Sequence, residues 1–250
     1  MTALLPDTAR TVWLWAGHAA YLGPSFHLDM HSTSVHCLAL GVDAPFIVTT
    51  PDLVARQQRS VLIPPRTRHR IDAGAGRMLF VYVDPRSVHT EHLRAAMRDR
   101  STVIASTHRA EDELLTALRH GVGPEQLDRI LFGDNGSGAD DDRIRHAMEM
   151  ILADPAAELG ADQLAAAVDL STSRFLHLFT ATAGTSFRRY RLWSRMLSVA
   201  AAVADGSDLT TAAIRAGFAS PSHFSDTFHA MFGLTATSLL SQGTTIVVRR

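Results

Sequence analysis

Four histidines in the first third of the chain are the side chains best suited to coordination or proton transfer: His27, His31, His36 and His69. Neutral imidazoles are good metal ligands, but three or four ligands must converge on one point to hold an ion. The alternative is that these are ordinary histidines of a pocket or a surface. A metal-dependent enzyme therefore stays open as one interpretation of this half.

The sequence lacks the residues that other catalytic sites and phosphate-binding loops need. No Gly-x-Ser-x-Gly motif occurs, and a phosphate-binding loop requires a Lys, whereas all 24 basic residues here are Arg. Cys37 is the single cysteine, so no intramolecular disulfide can form, and a reducing cytoplasm fits. We predict that the chain is not an enzyme, that it holds no metal or other cofactor, and that it is cytoplasmic.

The composition is that of a folded globular protein, with 250 residues of which 46% are apolar. The formal net charge of −1 gives no bulk attraction to nucleic acid. No apolar run approaches the roughly 18 residues of a membrane span, so no membrane association is predicted. The length favours two small domains, each with its own core.

A Gly-rich segment divides the chain into two parts with different patterns. Residues 133–139 contain three glycines and no side chain that could build a core. We therefore place a linker at 133–139, between one domain at 1–132 and another at 140–250. Acidic residues at 140–142 suit a helix start, where they complement the helix dipole and cap free N–H groups, and they are equally compatible with a solvated acidic turn.

The first part reads as strands followed by helices. Short apolar runs bounded by Pro, Gly or Asp predict strands at Val35–Val42, Phe46–Val48, Val61–Ile63 and Met78–Val83. Trp13 and Trp15 alternate with apolar neighbours, which puts both indoles on one strand face. From Ser87 to Leu131 the spacing is helical, with Leu93, Met97 and Ile104 in one stretch.

The second part is helical and repeats itself. Phe175, Phe179 and Gly184 recur 49 residues later as Phe224, Phe228 and Gly233, and Ala165 and Leu170 recur 48 residues later as Ala213 and Phe218. Each copy reads as a short helix, a tight turn, a serine cap at Ser171 or Ser220, and a second helix that ends at Gly. That order predicts two helix-turn-helix units, whose second helices would enter the major groove of DNA.

These residues resemble the AraC/XylS family of bacterial transcription regulators over about Arg143 to Leu240. The motifs that carry the resemblance are Leu164-Ala165, Leu170-Ser171, Phe175-x3-Phe179-x4-Gly184, Phe187-x2-Tyr190, Ala213-x3-Gly217-Phe218 and Ser220-x3-Phe224-x3-Phe228-x3-Phe232-Gly233. The resemblance implies an α+β fold, with an N-terminal cupin-like β-barrel and dimerisation helices, then an all-α domain of two helix-turn-helix units. One long helix, here Ser186 to Ala204, would join the units so that one monomer reads two successive major grooves.

The resemblance also implies the residues that contact DNA. They are Thr172, Ser173, Arg174, His177, Arg188, Pro221, Ser222, His223, Asp226 and His229. Family members usually carry Arg and then Lys, three residues apart, on each recognition helix. This chain has His177 and Thr180 in the first unit, and Asp226 and His229 in the second.

That departure leaves a protein-binding regulator with degraded recognition helices as an alternative. We favour DNA binding, because several arginines could contact phosphates locally whatever the net charge. They are Arg174, Arg188, Arg189, Arg191 and Arg195.

The segment from Ser60 to Arg70, followed by Arg77 to Pro85, resembles the cupin-type barrel that precedes the DNA-binding domain in many such regulators. The resemblance implies a small effector at the barrel mouth, and we predict a pocket built from Trp15, His27, His36, His69 and Tyr82. Metal-binding cupins carry a His-x-His pair and a Glu a few residues on, whereas this chain has His27-x3-His31 and no Glu before Glu91. The implied partners are double-stranded DNA, an unidentified small-molecule effector, a second copy of the chain and RNA polymerase.

Overall fold

The computed structural model describes residues 10–15, 17–26, 28–85, 87–100, 103–133, 141–157, 159–183, 185–241 and 243–249. Within these ranges the fold is α+β, as predicted, and strands dominate the first part and helices the second. The predicted linker at 133–139 lies outside the described residues except for Gly133, which follows the last helix of the first part with φ 79°.

Eleven strands are seen in the described residues. They are β1 (Thr11–Trp15), β2 (His18–Pro24), β3 (His36–Gly41), β4 (Phe46–Thr50), β5 (Leu53–Gln58), β6 (Ser60–Ile63), β7 (Arg70–Asp72), β8 (Arg77–Val83), β9 (Met97–Asp99), β10 (Ala105–His108) and β11 (Thr245–Val248). Eight form one sheet in the order β11-β1-β2-β8-β3-β6-β10-β9, and three form a second sheet in the order β5-β4-β7. The four predicted strands are confirmed as β3, β4, β6 and β8.

The large sheet is buried on both faces, which explains its nearly continuous apolar strands. In β3, Cys37 and Ala39 enter the core shared with the small sheet, while Leu38 and Leu40 face the opposite way. Three helices cover that opposite face: α1 (Val88–Ala96), α2 (Glu111–Arg119) and α3 (Pro124–Phe132).

The predicted helical stretch through Leu93, Met97 and Ile104 is wrong beyond Ala96. Helix α1 ends there, and Met97 begins β9, which pairs with β10 at the edge of the sheet. Leu93 and Met97 do share one core, but Ile104 belongs to the core on the other face. Apolar spacing over so short a stretch is compatible with a helix, but backbone pairing at the sheet edge makes residues 97–99 a strand instead.

Seven helices follow in the described part of the second half. They are α4 (Asp142–Ala153), α5 (Ala161–Ala167), α6 (Thr172–Ala183), α7 (Phe187–Ala204), α8 (Leu209–Arg215), α9 (Pro221–Phe232) and α10 (Ala236–Leu240). Asp141 caps α4, because its side chain accepts a hydrogen bond from the N–H of Arg143. The long helix predicted between the two units is confirmed as α7.

The two halves are packed against each other. Strand β11, near the end of the chain, pairs in parallel with β1 of the first half, a strand that the sequence did not suggest. One core contains Val12, Leu14 and Phe80 from the sheet together with Trp193 and Phe232 from α7 and α9. None of the helices in the described ranges combines the length and apolarity needed to cross a bilayer.

Candidate nucleic-acid interface and effector pocket

The first helix-turn-helix unit, α5 and α6, is closed by a tight turn that contains a left-handed residue. Asp169 has φ 53°, and the N–H of Leu170 donates to the carbonyl oxygen of Ala165 over 2.9 Å. Ser171 caps α6, because its Oγ accepts from the N–H of Arg174 over 3.3 Å. The turn and the cap together fix the direction in which α6 leaves α5.

The second unit, α8 and α9, repeats this geometry. Gly217 has φ 84°, the N–H of Phe218 donates to the carbonyl oxygen of Ala213 over 3.1 Å, and Ser220 Oγ accepts from the N–H of His223 over 3.0 Å. The predicted repeat is therefore confirmed in its hydrogen bonds. Gly233 ends α9 in the left-handed conformation with φ 77°, as predicted, whereas its counterpart Gly184 lies outside the described residues.

Both second helices bury an aromatic face and leave a polar face in solvent. Phe175 and Phe179 of α6 are fully buried, and Phe224 and Phe232 of α9 are buried as well. Of the ten residues predicted to contact DNA, nine are exposed and Pro221 is half-buried. The nine are Thr172, Ser173, Arg174, His177, Arg188, Ser222, His223, Asp226 and His229.

The arginines predicted to contact phosphate divide into two groups. Arg191 donates to the carbonyl oxygens of Leu159 and Ala157, and Arg195 donates to that of Pro155. Arg189 donates to the buried carboxylate of Asp84, so these three guanidinium groups serve the fold. Arg174 and Arg188 are exposed and have no side-chain partner among the described residues, which leaves them as the candidates for phosphate contacts.

A small cavity of about 20 Å³ borders the core between the two sheets. His69 and Tyr82 line it, as predicted for the effector pocket, together with His31 and Cys37, which were not in that prediction. Burial lowers the pKa of His69 to about 4, and burial raises the pKa of Tyr82. His69 and Tyr82 are therefore uncharged near neutral pH.

The other residues of the predicted effector pocket are not in this cavity. His36 is on the opposite face of β3 from Cys37, toward α1, and burial lowers its pKa. Trp15 packs against the core under α1–α3 and stacks on His18, which is 3.0 Å from Asp128 of α3. His27 lies outside the described residues. The five predicted residues thus do not form one pocket, because strand alternation puts Trp15 and His36 on the far face of the sheet.

A larger cavity of about 70 Å³ lies between the sheet and the helices of the second half. Strands β1 and β2 form one wall, and α7 and α9 form the other through residues such as Val199, Ala200, Phe224 and Phe228. Among the described residues that line it, no side chain is charged, and the polar side-chain groups are the hydroxyls of Tyr21 and Tyr82. Tyr82 lines both cavities, so the larger one adjoins the two histidines.

The buried carboxylate of Asp84 ties the end of β8 to α7. It has no exposed surface, and it accepts hydrogen bonds from Thr185 Oγ1 and Trp193 Nε1, each over 3.2 Å, and from Arg189 Nε. Arg189 and Trp193 are four residues apart and share one face of α7, and Thr185 lies just before the helix begins. Helix α9 is also bound to the first half of the chain, because the N–H of Ser34 donates to the carbonyl oxygen of Ala230.

The histidines of the first half could hold a metal ion only if further ligands lay beside them. Among the residues that the structure describes, no three His, Cys, Asp or Glu side chains form a cluster that could hold an ion. The rings of His31 and His69 do lie close, with centroids 4.5 Å apart, but they form a pair rather than a set of three.

Comparison with known proteins gives a match in the helical half. Residues 164–242 match a family model described as a helix-turn-helix domain. That range holds both units apart from the first residues of α5. Among curated proteins, none matches the chain by sequence.

Similar solved structures share little sequence with this chain. ToxT from Vibrio cholerae is 11% identical, with 90% of this chain and 98% of that chain covered and a TM-score of 0.47. Wild-type ToxT from Vibrio cholerae strain SCE256 bound to an unsaturated fatty acid is 13% identical, with 94% and 95% covered and a TM-score of 0.42. An AraC-type regulator from Chromobacterium violaceum is 24% identical, with 40% and 91% covered and a TM-score of 0.38.

Two equivalent units with exposed second helices, inside a matched helix-turn-helix domain, define a DNA-binding transcriptional regulator. The matched residues are those in which the sequence resembles the AraC/XylS family of such regulators.

Proposed function

We propose that the protein binds specific duplex DNA with α6 and α9 in two successive major grooves. The observation that carries this proposal is the repeated turn, in which Leu170 and Phe218 make the same backbone hydrogen bond 48 residues apart. Helix α7 separates the units and has 18 residues, so it is about 27 Å long, on the order of one helical repeat of DNA.

We further propose that a small effector controls DNA binding from the larger cavity. The lining carries no charge, which favours an uncharged, mostly apolar ligand. Effector pockets usually need on the order of 300 Å³ or more, whereas this cavity measures about 70 Å³. A ligand of ordinary size must therefore move α7 or α9 away from the sheet in order to bind.

That movement would couple the effector to DNA. The inner side of α9 lines the cavity through Phe224 and Phe228, while its outer side carries Ser222 and Asp226. If α9 can occupy two positions, a ligand that binds more tightly to one of them raises its population. The free energy of this shift equals the difference between the ligand's binding free energies for the two positions.

Three further elements of the proposal rest on the family resemblance. They are a homodimer formed through the helices after the barrel, RNA polymerase as a partner, and the division into a sensor at 1–132 and a DNA-binding domain at 140–250. Because the two halves share a core, α7 and α9 have an apolar face that needs the sheet. We therefore expect the full chain, rather than residues 140–250 alone, to be the form suited to binding experiments.

Selection of bound duplexes from a random pool, followed by footprinting with the full chain, tests the proposal. We expect two protected patches about 10 base pairs apart on one face of the DNA. A single patch would contradict the two-groove arrangement. If no duplex is bound in a salt-sensitive way, the recognition helices serve another partner, as in the protein-binding alternative.

A further inference from the structure

Helix α6 exposes one large apolar side chain on its outward face. Leu176 is 38% exposed, whereas its neighbour Phe175 is fully buried. The other large apolar side chains exposed in the described ranges lie on strands, loops or other helices: Ile47, Val88, Val103 and Ile214. Among the described residues, Leu176 is thus the one such side chain on either recognition helix, at a position where it adds little to the core.

The residues around Leu176 are those that would face a groove. Ser173 and Thr180 lie three residues before and four residues after it, so the three share one stripe of the helix, and His177 lies beside them. All are exposed. Thr180 Oγ1 donates to the carbonyl oxygen of Leu176 over 2.9 Å, so this hydroxyl already has an acceptor within the helix. The middle of the stripe is therefore apolar.

We propose that Leu176 reads the methyl group of a thymine in the groove that α6 occupies, an inference that rests on the proposed DNA binding. In the major groove thymine alone presents a methyl group, whereas the other base edges present hydrogen-bonding atoms. A leucine side chain cannot pair with those atoms and would leave them desolvated. Contact with Leu176 consequently favours thymine over the other three bases.

The second unit offers an internal contrast. The residue 49 positions after Leu176 is Ser225, which is also exposed. The rest of the outward face of α9 is polar, with Ser222, Asp226 and His229. Methyl recognition by this mechanism should therefore occur in one of the two protected patches and not in the other.

Replacement of each thymine by deoxyuridine, one at a time, tests the inference on a duplex selected with the wild-type chain. Deoxyuridine lacks only the methyl group, and burial of one such group contributes about 0.8 kcal/mol, or about a fourfold change in affinity. We expect one deoxyuridine in the α6 patch to weaken wild-type binding about fourfold. Leu176→Ala should bind the thymine duplex with that same loss and become insensitive to deoxyuridine at that position.

Three control variants separate methyl contact from general effects. Leu176→Met keeps an apolar side chain and should retain sensitivity to deoxyuridine, as should Ile214→Ala, which shortens an exposed apolar side chain on α8, and Ser225→Ala. Equal wild-type affinity for every deoxyuridine duplex would overturn the inference, as would full sensitivity in Leu176→Ala. If the wild-type chain selects no duplex at all, the proposed DNA binding fails and this inference fails with it.

Discussion

At the level of single residues, the two recognition helices bring different charges to DNA. The exposed face of α6 includes Arg174, whereas that of α9 includes Asp226. A carboxylate near the phosphate backbone repels it, while an unpaired guanidinium makes a charge-assisted hydrogen bond. The first unit should therefore supply more of the phosphate attraction than the second.

We expect Arg174→Ala to weaken DNA binding about tenfold, which corresponds to the loss of one hydrogen bond to a charged group. The slope of the logarithm of the affinity against the logarithm of the salt concentration should become shallower by about 0.9. Ser222→Ala on α9 should cost less, because Asp226 opposes close phosphate contact there. Titration at several salt concentrations gives both quantities. Arg98→Ala, which removes an exposed charge from β9, is the control, and equal losses for Arg174→Ala and Arg98→Ala would contradict the assignment.

Two buried histidines should make the stability depend on pH. Burial lowers the pKa of His69 and that of His108 to about 4, compared with 6.5 for an exposed histidine. Between these pH values the unfolded chain binds more protons than the folded chain. The contribution of each histidine to the free energy of unfolding is therefore fully present above about pH 6.5 and is lost as the pH falls toward 4. Urea midpoints should consequently fall between pH 7.5 and pH 5.

Substitution identifies the groups responsible for that loss. His69→Gln and His108→Gln should each flatten the pH dependence, because the titrating group is removed. His120→Gln, at an exposed position at the end of α2, serves as the control and should leave the slope unchanged. If the urea midpoints of all three variants depend on pH as strongly as those of the wild type, other groups cause the acid sensitivity.

At the level of elements, local signals predicted the DNA-binding units and missed what joins them to the sheet. Serine caps, a terminal glycine and aromatic spacing are encoded within about ten residues, so the sequence shows them directly. Asp84 and its donors are 101 to 109 residues apart, and no local pattern indicates that pairing. The repeat does not indicate the left-handed turn residue either, because that residue is Asp169 in one unit and Gly217 in the other.

The Asp84 cluster should make a measurable contribution to stability. Asp84→Asn keeps the shape but leaves the half-buried guanidinium of Arg189 without its carboxylate, and breaking such a pair costs on the order of 3 kcal/mol. We expect that loss in the free energy of unfolding, measured with urea. The double variant Asp84→Asn/Arg189→Met should recover part of it, because no unpaired charge remains.

A matched control for this prediction is available on the other face of the sheet. Asp128→Asn changes a partly exposed carboxylate that contacts His18, so it should cost clearly less than Asp84→Asn. If the two asparagine variants are equally stable, the Asp84 cluster does not hold α7 to the sheet.

At the level of the whole molecule, the two halves share a core and the larger cavity lies in their contact. Ala200 of α7 lines that cavity, whereas Ala204, one turn on, is exposed. Replacement of Ala200 by Leu adds three carbon atoms within the cavity, and filling a cavity of about 70 Å³ should stabilise the fold by about 1 kcal/mol. Ala204→Leu adds the same atoms in solvent and should change little.

The same pair of variants tests whether the cavity receives the effector. Toluene and 1-hexanol are uncharged apolar probes, and a ligand that binds the folded state raises the midpoint of thermal unfolding. We expect such a rise for the wild type and for Ala204→Leu but not for Ala200→Leu, in which the site is filled. Any change that the probes cause in DNA affinity should disappear in the same variant, because a ligand that no longer distinguishes two positions of α9 cannot shift their populations. An undiminished response of Ala200→Leu would place the effector site elsewhere in the chain.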